Sequence, residues 1–425
     1  MKAVLVFLFV FGLIVIMHEL GHFLFAKWSG ILVREFSIGV GPKLFSHQDK
    51  SGTTYTIRML PLGGYVRMAG LGEEEMELNP GTAISLELND QQEVIKINTS
   101  SKVQLANSVP MEVLEVDLEE KLFVKGYLNG DEDKETVYPV IHDAMIIEED
   151  GTEVRIAPVD VQFQSAKLYQ RMLTNIAGPV FNFILAFVLF VIMLAYQGGI
   201  YTPNNQVASV ADDSPAMAAG LKDGDKIISI AGEKINAYAD IGKTVQKNAD
   251  TTVPIVVDRQ GQEKTLSITP KEMTDNGEKR VMIGITSSLE LEQLGVAGTI
   301  KEAGRKTKEN ALLIFTLLRD LLGSFSLDKL GGPVMIFQAS SEIANQNIIA
   351  ILSFTAVLSV NLGIMNLLPI PMLDGGKLLF NLVEGIRRKP LSPEWEMRIT
   401  MVGAAFLVGL MVLVMWNDIM RFLGR

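Results

Sequence analysis

Two histidines and a glutamate lie within the first apolar stretch of the chain, in the order His18, Glu19 and His22. This is an HExxH pattern, and on a helix its two imidazoles lie on one face, one turn apart, where both can bind one zinc ion. The glutamate is then placed to accept a proton from water at that ion. Polar groups are costly inside an apolar segment, so their presence between Ala3 and Ala26 indicates a functional site.

A catalytic zinc ion usually has three protein ligands and one open position, so a third ligand is required. In soluble metzincin proteases a third histidine follows the second by six residues, but here Trp28 occupies that place. The chain offers instead Asp374, which follows Pro369 and Pro371 at the end of a later apolar run. Two such prolines cannot continue a helix, and backbone opened at membrane depth must be buried in protein or line a wet cavity. Asp374 is therefore the predicted third ligand.

Two alternatives stay open for this ligand. Asp374 could cap a helix end that faces water, or the third ligand could be Glu384, as in membrane zincins that process peptides in a sealed chamber. The depth of the residues favours Asp374, because it and the two histidines lie at the same end of their apolar runs.

The composition describes a mixed protein. The chain has 425 residues, of which 48% are hydrophobic and 20% are charged, which is typical of several membrane spans with soluble domains. The absence of cysteine excludes disulfides and cysteine-ligated zinc, so histidine and carboxylate must hold any zinc. Residues 71–165 carry 22 acidic and 6 basic side chains, a balance of −16, whereas the rest of the chain has a balance of +5. This block is predicted to be a soluble insertion with a solvated surface.

Four segments are long and apolar enough to cross a bilayer, which takes about 20 residues. They are Val4 to Phe25, Leu173 to Tyr196, Ile348 to Leu368 and Ile399 to Trp416. A cleaved signal peptide is the alternative for the first, but no small-x-small cleavage site follows it. Basic residues cluster after the first segment, before the second and between the last two. Both termini are therefore predicted to be extracytoplasmic, with the metal site near the cytoplasmic side.

The predicted fold class is a polytopic α-helical membrane protein that has four transmembrane helices, a membrane-associated β-hairpin region, a cytoplasmic β-rich insertion and a compact extracytoplasmic domain. Residues 29–70, after the first helix in residues 1–28, predict a membrane-associated β-hairpin region, which is either structural or offers an edge to an extended peptide. The β-rich insertion occupies residues 71–168 and is followed by the second transmembrane helix in 169–197. The compact extracytoplasmic domain is predicted in 203–290. Amphipathic helices are predicted in 291–347, and the last two transmembrane helices in 348–425.

These motifs resemble the site-2 protease family, specifically its bacterial RseP-like branch. The similarity covers most of the chain. Besides the HExxH pattern and Asn361, it includes the stretches Leu60–Tyr65, Asn175–Pro179 and Asn366–Gly375. The stretch Ser214–Ile227 resembles the PDZ domain that these proteases carry, although some relatives have two in tandem.

The resemblance implies an intramembrane zinc endopeptidase in a bacterial plasma membrane. His18, His22 and Asp374 would bind Zn²⁺, and Glu19 would be the general base. The expected partners are the lipid bilayer and single-span membrane proteins, such as anti-sigma-factor-type regulators and remnant signal peptides, usually after a first extracytoplasmic cut. No nucleic acid partner is expected.

Substrate binding is predicted at four further residues, which are Asn361, Asn366, Pro369 and Pro371. A helical substrate must be unwound before water can attack it, and asparagine side chains can satisfy the freed backbone groups. The alternative is that the two asparagines form hydrogen bonds between spans. By the resemblance, residues 34–68 would form a β-loop that pairs with the substrate, and the PDZ domain would exclude substrates that have not yet been shortened.

Two other classes of protein remain as alternatives. A noncatalytic membrane scaffold would use its PDZ domain to recruit external carboxyl termini, and in that case Glu19→Gln would have no effect. A transporter is disfavoured, because the four spans contain no inverted repeat.

Overall fold

The computed structural model describes residues 2–70, 78–129, 131, 133–149, 151–275, 278–323 and 331–423. The chain divides into two compact units, Met1–Phe190 with Ala303–Arg425, and Val191–Glu302. Within the described ranges the helices are α1 (Lys2–Trp28), α2 (Leu168–Gln197), α3 (Pro215–Ala218), α4 (Tyr238–Lys247), α5 (Val296–Gly323), α6 (Pro333–Ala344), α7 (Ile348–Asn366), α8 (Asp374–Arg387) and α9 (Pro393–Phe422).

The strands of the described ranges fall into the same two units. In the first they are β1 (Val33–Gln48), β2 (Thr54–Met68), β3 (Ala83–Leu88), β4 (Val94–Asn98), β5 (Ser108–Asp117), β6 (Phe123–Leu128), β7 (Glu135–Ile147) and β8 (Glu153–Arg155). In the second they are β9 (Gly199–Val210), β10 (Lys226–Ile230), β11 (Glu233–Lys234), β12 (Val253–Arg259), β13 (Gln262–Ile268), β14 (Lys271–Asp275), β15 (Glu278–Met282) and β16 (Ile285–Gln293).

Four helices are long and apolar enough to cross a membrane, as predicted, and they are α1, α2, α7 and most of α9. Helix α7 ends at Asn366, two residues earlier than predicted, since the residue before Pro369 is disfavoured in helical conformation. Helix α9 begins at Pro393, six residues before the predicted start of the last span. Of the four, α2 is the most buried.

Helices α1 and α7 both approach α2 closely at glycines. A Cβ atom built on Gly21 of α1 would lie 2.4 Å from the carbonyl oxygen of Ala177, and one built on Gly363 of α7 would lie 3.2 Å from that of Pro179. Small residues let membrane helices pack backbone to backbone. Helix α2 therefore holds the helix with the HExxH pattern and the helix that leads to Asp374.

Helices α5 and α6 lie in the segment 291–347, where amphipathic helices were predicted. Helix α5 runs unbroken for 28 residues, because no proline interrupts it. Helix α6 packs against α1, with the rings of Phe337 and Phe7 5.6 Å apart. The carboxylate of Asp418, on α9, accepts a hydrogen bond from the main-chain N–H of Gly332, which caps the start of α6.

Strands β1 and β2 form a sheet that folds back on itself. Phe36 of β1 is paired with both Val66 and Tyr55 of β2, so the start of β1 lies between two stretches of β2. Gly39 and Gly41, with φ of 90° and 89°, lie where the register shifts. Glycine adopts these angles without strain, so strand β1 continues through this irregularity.

The acidic insertion is β-rich, and its six strands follow the order β4-β3-β5-β6-β7-β8. Its core contains the fully buried side chains of Leu86, Ile97 and Val113. The insertion is attached to the β1–β2 sheet, because Gln48 Nε2 donates to the carbonyl oxygen of Glu153 at 3.1 Å.

The unit Val191–Glu302 is built on the sheet β13-β12-β10-β9-β16, with α3 and α4. The pairing of β9 with β16 extends from Gly199 to Gln293, beyond both predicted bounds of this domain. Arg259 forms two hydrogen bonds of 2.8 Å with the buried carboxylate of Asp225. Burial acts to raise the pKa of Asp225, but Arg259 and the Lys222 N–H hold it below its ordinary value.

Candidate metal centre

Helix α1 presents its two histidines as the HExxH spacing predicts. His18 and His22 are buried, and their Nε2 atoms lie 3.3 Å apart. The ring planes are inclined at 81°, so the two nitrogens converge on one point instead of stacking. A period of 3.6 residues produces this arrangement, because residues four apart lie one above the other.

The loop between α7 and α8 brings Asp374 to the same point. Its Oδ2 atom lies 3.2 Å from Nε2 of both His18 and His22. The next residue must be small, because a Cβ built on Gly375 would lie 2.3 Å from the carbonyl oxygens of Leu367 and Leu368. Asp374 is also the first residue of α8, where the helix dipole favours a negative charge.

The three side chains fit a zinc ion. A tetrahedral ion with bonds of about 2.0–2.1 Å holds its ligand atoms about 3.3 Å apart, and the observed separations are 3.2 and 3.3 Å. Among the described residues, Asp374 Oδ2 is buried without a hydrogen-bond partner, which is a costly state for a carboxylate oxygen without a cation. His18, His22 and Asp374 are also the one group of histidine and carboxylate side chains in the described ranges with metal-binding geometry.

Helix α2 forms the wall behind the two imidazoles. His22 Nδ1 lies 2.7 Å from the main-chain oxygen of Thr174, and His18 Nδ1 lies 3.1 Å from the side-chain amide of Asn182. Between them, a Cβ built on Gly178 would lie 2.2 Å from His22 Nε2. Only a glycine leaves room for both rings at this point.

Glu19 faces strand β2. A Cβ built on Gly64 would lie 2.9 Å from Glu19 Cγ and 2.8 Å from the Ser37 carbonyl oxygen, so the strand passes directly over the glutamate. The Glu19 side chain therefore lies between α1 and β2, and Glu19 is next in sequence to His18.

An ion pair stiffens the sheet beside this glutamate. Arg58 donates to Glu35 Oε1 at 2.9 Å and to the Tyr65 hydroxyl at 2.6 Å, and so joins three stretches of the sheet. Burial acts to raise the pKa of Glu35, but the hydrogen-bonded guanidinium of Arg58 helps to hold it below its ordinary value. Glu35 is thus a buried carboxylate kept ionised by its partners.

Of the remaining predicted residues, Glu384 is shown to have a different partner. Glu384, the alternative third ligand, is paired with Arg171 of α2 instead. Asn361 and Asn366 are partly buried on α7, and their role in binding substrate stays a prediction. Pro369 and Pro371 lie in the loop that follows, and their role in binding substrate also stays a prediction.

The sequence analysis did not identify Thr174, Gly178 or Asn182 as neighbours of the metal centre. Asn182 carried a usable signal, because a buried amide in an apolar span is a functional candidate. The Thr174 carbonyl and the Gly178 hydrogen carry none, since their roles depend on where α2 crosses α1.

Comparison with known proteins identifies relatives over the whole chain. The model of "Peptidase family M50" matches residues 6–410. "Probable protease eep" of Enterococcus faecalis is 53% identical over 424 residues, which cover 99% of this chain and 100% of that protein. "Putative zinc metalloprotease SPs1691" of Streptococcus pyogenes is 45% identical, and "Putative zinc metalloprotease LL2128" of Lactococcus lactis is also 45% identical, each over 99% of both chains.

A solved structure also resembles part of the chain. The PDZ domain of the SdrC-like protein from Listeria monocytogenes is 25% identical, and the match covers 21% of this chain and 90% of that chain. Its TM-score of 0.18 is too low to support a conclusion about this chain. The family is shown by the family model and by the full-length relatives, and the four apolar helices fit a membrane protein. The chain belongs to peptidase family M50, the site-2 protease family, and is a zinc-dependent membrane metalloprotease of bacterial type.

Proposed function

We propose that this protease is an intramembrane endopeptidase that cuts single-span membrane proteins within or beside their membrane segments. Its substrates would be anti-sigma-factor-type regulators and remnant signal peptides, usually after a first extracytoplasmic cut. The observation that carries the proposal is the cluster of His18, His22 and Asp374 between helices apolar enough to span a bilayer. A soluble substrate would not readily enter a site that lies between such helices.

We assign His18, His22 and Asp374 as the zinc ligands and Glu19 as the general base. When bound, zinc supplies the positive charge that polarises a peptide carbonyl and acidifies water. Glu19 takes the proton of the attacking water and returns it to the leaving amine. Lys377 Nζ, 4.0 Å from Asp374 Oδ1, adds positive charge on the side of the carboxylate away from the histidines.

The peptide to be cut must be extended, because a helix hides its own amides. We assign Asn361, Asn366, Pro369 and Pro371 to the binding of this extended stretch, and the β1–β2 sheet to pairing with it. Support comes from the passage of β2 over Glu19 and from exposed apolar side chains on the far part of the sheet, Leu44, Phe45 and Leu60. Such side chains suit contact with lipid or with an apolar substrate.

The orientation follows from the basic residues. We propose that both termini are extracytoplasmic, that the metal centre is near the cytoplasmic side and that the acidic insertion is cytoplasmic. The unit Val191–Glu302 is then outside, where it would act as a PDZ domain that excludes substrates with bulky external parts. Its compact sheet and two helices support this role.

The test uses a single-span reporter expressed together with the protease. Glu19→Gln should retain zinc and stop cleavage, because the amide keeps the shape of the side chain but cannot accept the proton. Asp374→Ala should lose zinc, and Glu384→Ala, the control carboxylate, should keep it. Normal cleavage by Glu19→Gln would contradict the assigned base and favour the scaffold alternative. Single-span proteins that accumulate only with Glu19→Gln would be the substrates.

A further inference from the structure

The orientation of His18 depends on a residue of α2 outside the proposed ligands. Asn182 is completely buried, and its amide lies 3.1 Å from His18 Nδ1. The other imidazole has a matching contact, between His22 Nδ1 and the main-chain oxygen of Thr174. A carbonyl oxygen only accepts, so neutral His22 carries its proton on Nδ1 and directs an unprotonated Nε2 at the metal centre.

His18 needs the same tautomer to bind zinc through Nε2, so its Nδ1 must donate to an oxygen. An amide nitrogen facing Nδ1 would force the proton onto Nε2, towards Asp374. Meanwhile the Oδ1 atom of Asn182 is buried without a hydrogen-bond partner among the described residues. A half-turn of the amide exchanges its oxygen and nitrogen, gives Oδ1 the Nδ1–H donor and leaves Nε2 free for the metal.

We propose that Asn182 is a positioning residue that accepts the Nδ1–H of His18 and so fixes the tautomer and direction of this ring. The inference rests on the proposed zinc site. The same residue also meets α7, because its main-chain oxygen accepts the Ser359 hydroxyl at 2.8 Å. Since α7 leads to the loop with Asp374, one turn of α2 contacts both halves of the site.

The test measures the zinc Kd of the full-length protein in detergent by competition with a chelator. Outer partners of zinc-binding histidines typically contribute 10- to 100-fold to metal affinity, so Asn182→Leu should weaken binding by about 10- to 100-fold. Asn182→Asp keeps an acceptor oxygen and should restore binding close to that of the unaltered protein. Ser359→Ala removes the contact between α2 and α7 without touching the amide, and should leave the Kd unchanged.

Three results would overturn the proposal. They are an unchanged Kd for Asn182→Leu, equal losses for the leucine and aspartate variants, and a loss in Ser359→Ala as large as in Asn182→Leu. The last two would mean that Asn182 acts through helix packing. If Asn182→Leu does not fold, the visible bands of cobalt-substituted Asn182→Asp should still shift with the stronger acceptor, and unchanged bands would overturn the proposal.

His18→Ala separates this inference from the proposed function. Loss of zinc in His18→Ala with normal binding in Asn182→Leu would refute only the positioning role. Normal zinc binding in His18→Ala would instead refute the metal site itself.

Discussion

Gly178 packs tightly against the two imidazoles of the metal centre, and replacing it by alanine tests this packing directly. The new Cβ would lie 2.2 Å from His22 Nε2 and 2.8 Å from His18 Cε1. Ordinary contact begins near 3.4 Å, so the methyl group and the His22 ring would have to separate by about 1.2 Å, against a tolerance of about 0.2 Å for metal–ligand distances. Retreat of α2 would pull it away from α7 at Gly363.

We therefore expect Gly178→Ala to weaken zinc binding and to slow cleavage by about 100-fold, the order of loss in rate that a misplacement near 1 Å causes. The assay is chelator competition on the purified protein, with cleavage of a single-span reporter as a second readout. Gly12→Ala, in α1, is the control, because its Cβ would meet nothing within 4 Å and alanine favours a helix. Unaltered zinc affinity in Gly178→Ala would refute the close packing of α2 on the imidazoles.

Two further predictions concern Glu19 and the unit Val191–Glu302. Gly64→Ala should retain zinc but reduce cleavage by about tenfold or more, since its Cβ would lie only 2.9 Å from Glu19 Cγ. Gly63→Ala is the control, because its Cβ would lie 3.4 Å from Val40. Equal losses of cleavage in both variants would contradict the contact between Gly64 and Glu19. Arg259→Ala should lower the Tm of the unit Val191–Glu302 at pH 7, because it removes the cation that faces the buried Asp225 carboxylate. Arg259 lowers the pKa of Asp225 in the folded state, so its stabilising effect is complete above about pH 4 and is lost as the pH falls through that lowered pKa. The difference in Tm between the variant and the unaltered protein should therefore shrink in acid. A difference that persists at low pH would count against the ion pair.

Features that depend on neighbouring residues could be predicted from the sequence. The spacing of His18 and His22 places both rings on one helical face whatever surrounds them, because the helical period is local. The apolar runs predict the four long helices for a similar reason, since burial in lipid requires length and composition alone. The break at Pro369 and Pro371 is equally local, because proline removes a hydrogen bond wherever it occurs.

Features that depend on contacts between distant segments of the chain could not be predicted from the sequence. The double pairing of Phe36 with Tyr55 and Val66 depends on register, and a two-residue side-chain period allows several registers. The bounds of helix α5 could not be predicted, because amphipathic stretches with scattered charges do not show where a helix ends.

The sequence by itself determined which side chains could bind a metal and that the two histidines lie in a helix apolar enough to cross a membrane, because helical periodicity and hydrophobic length are properties of the local chain. The tertiary structure decided that Asp374 meets both imidazoles at 3.2 Å and that Glu384 does not, since this depends on how α7 and α8 pack. It also decided that Asn182 and Gly178 back the imidazoles, because the crossing of α1 and α2 is set by contacts between residues more than 150 positions apart.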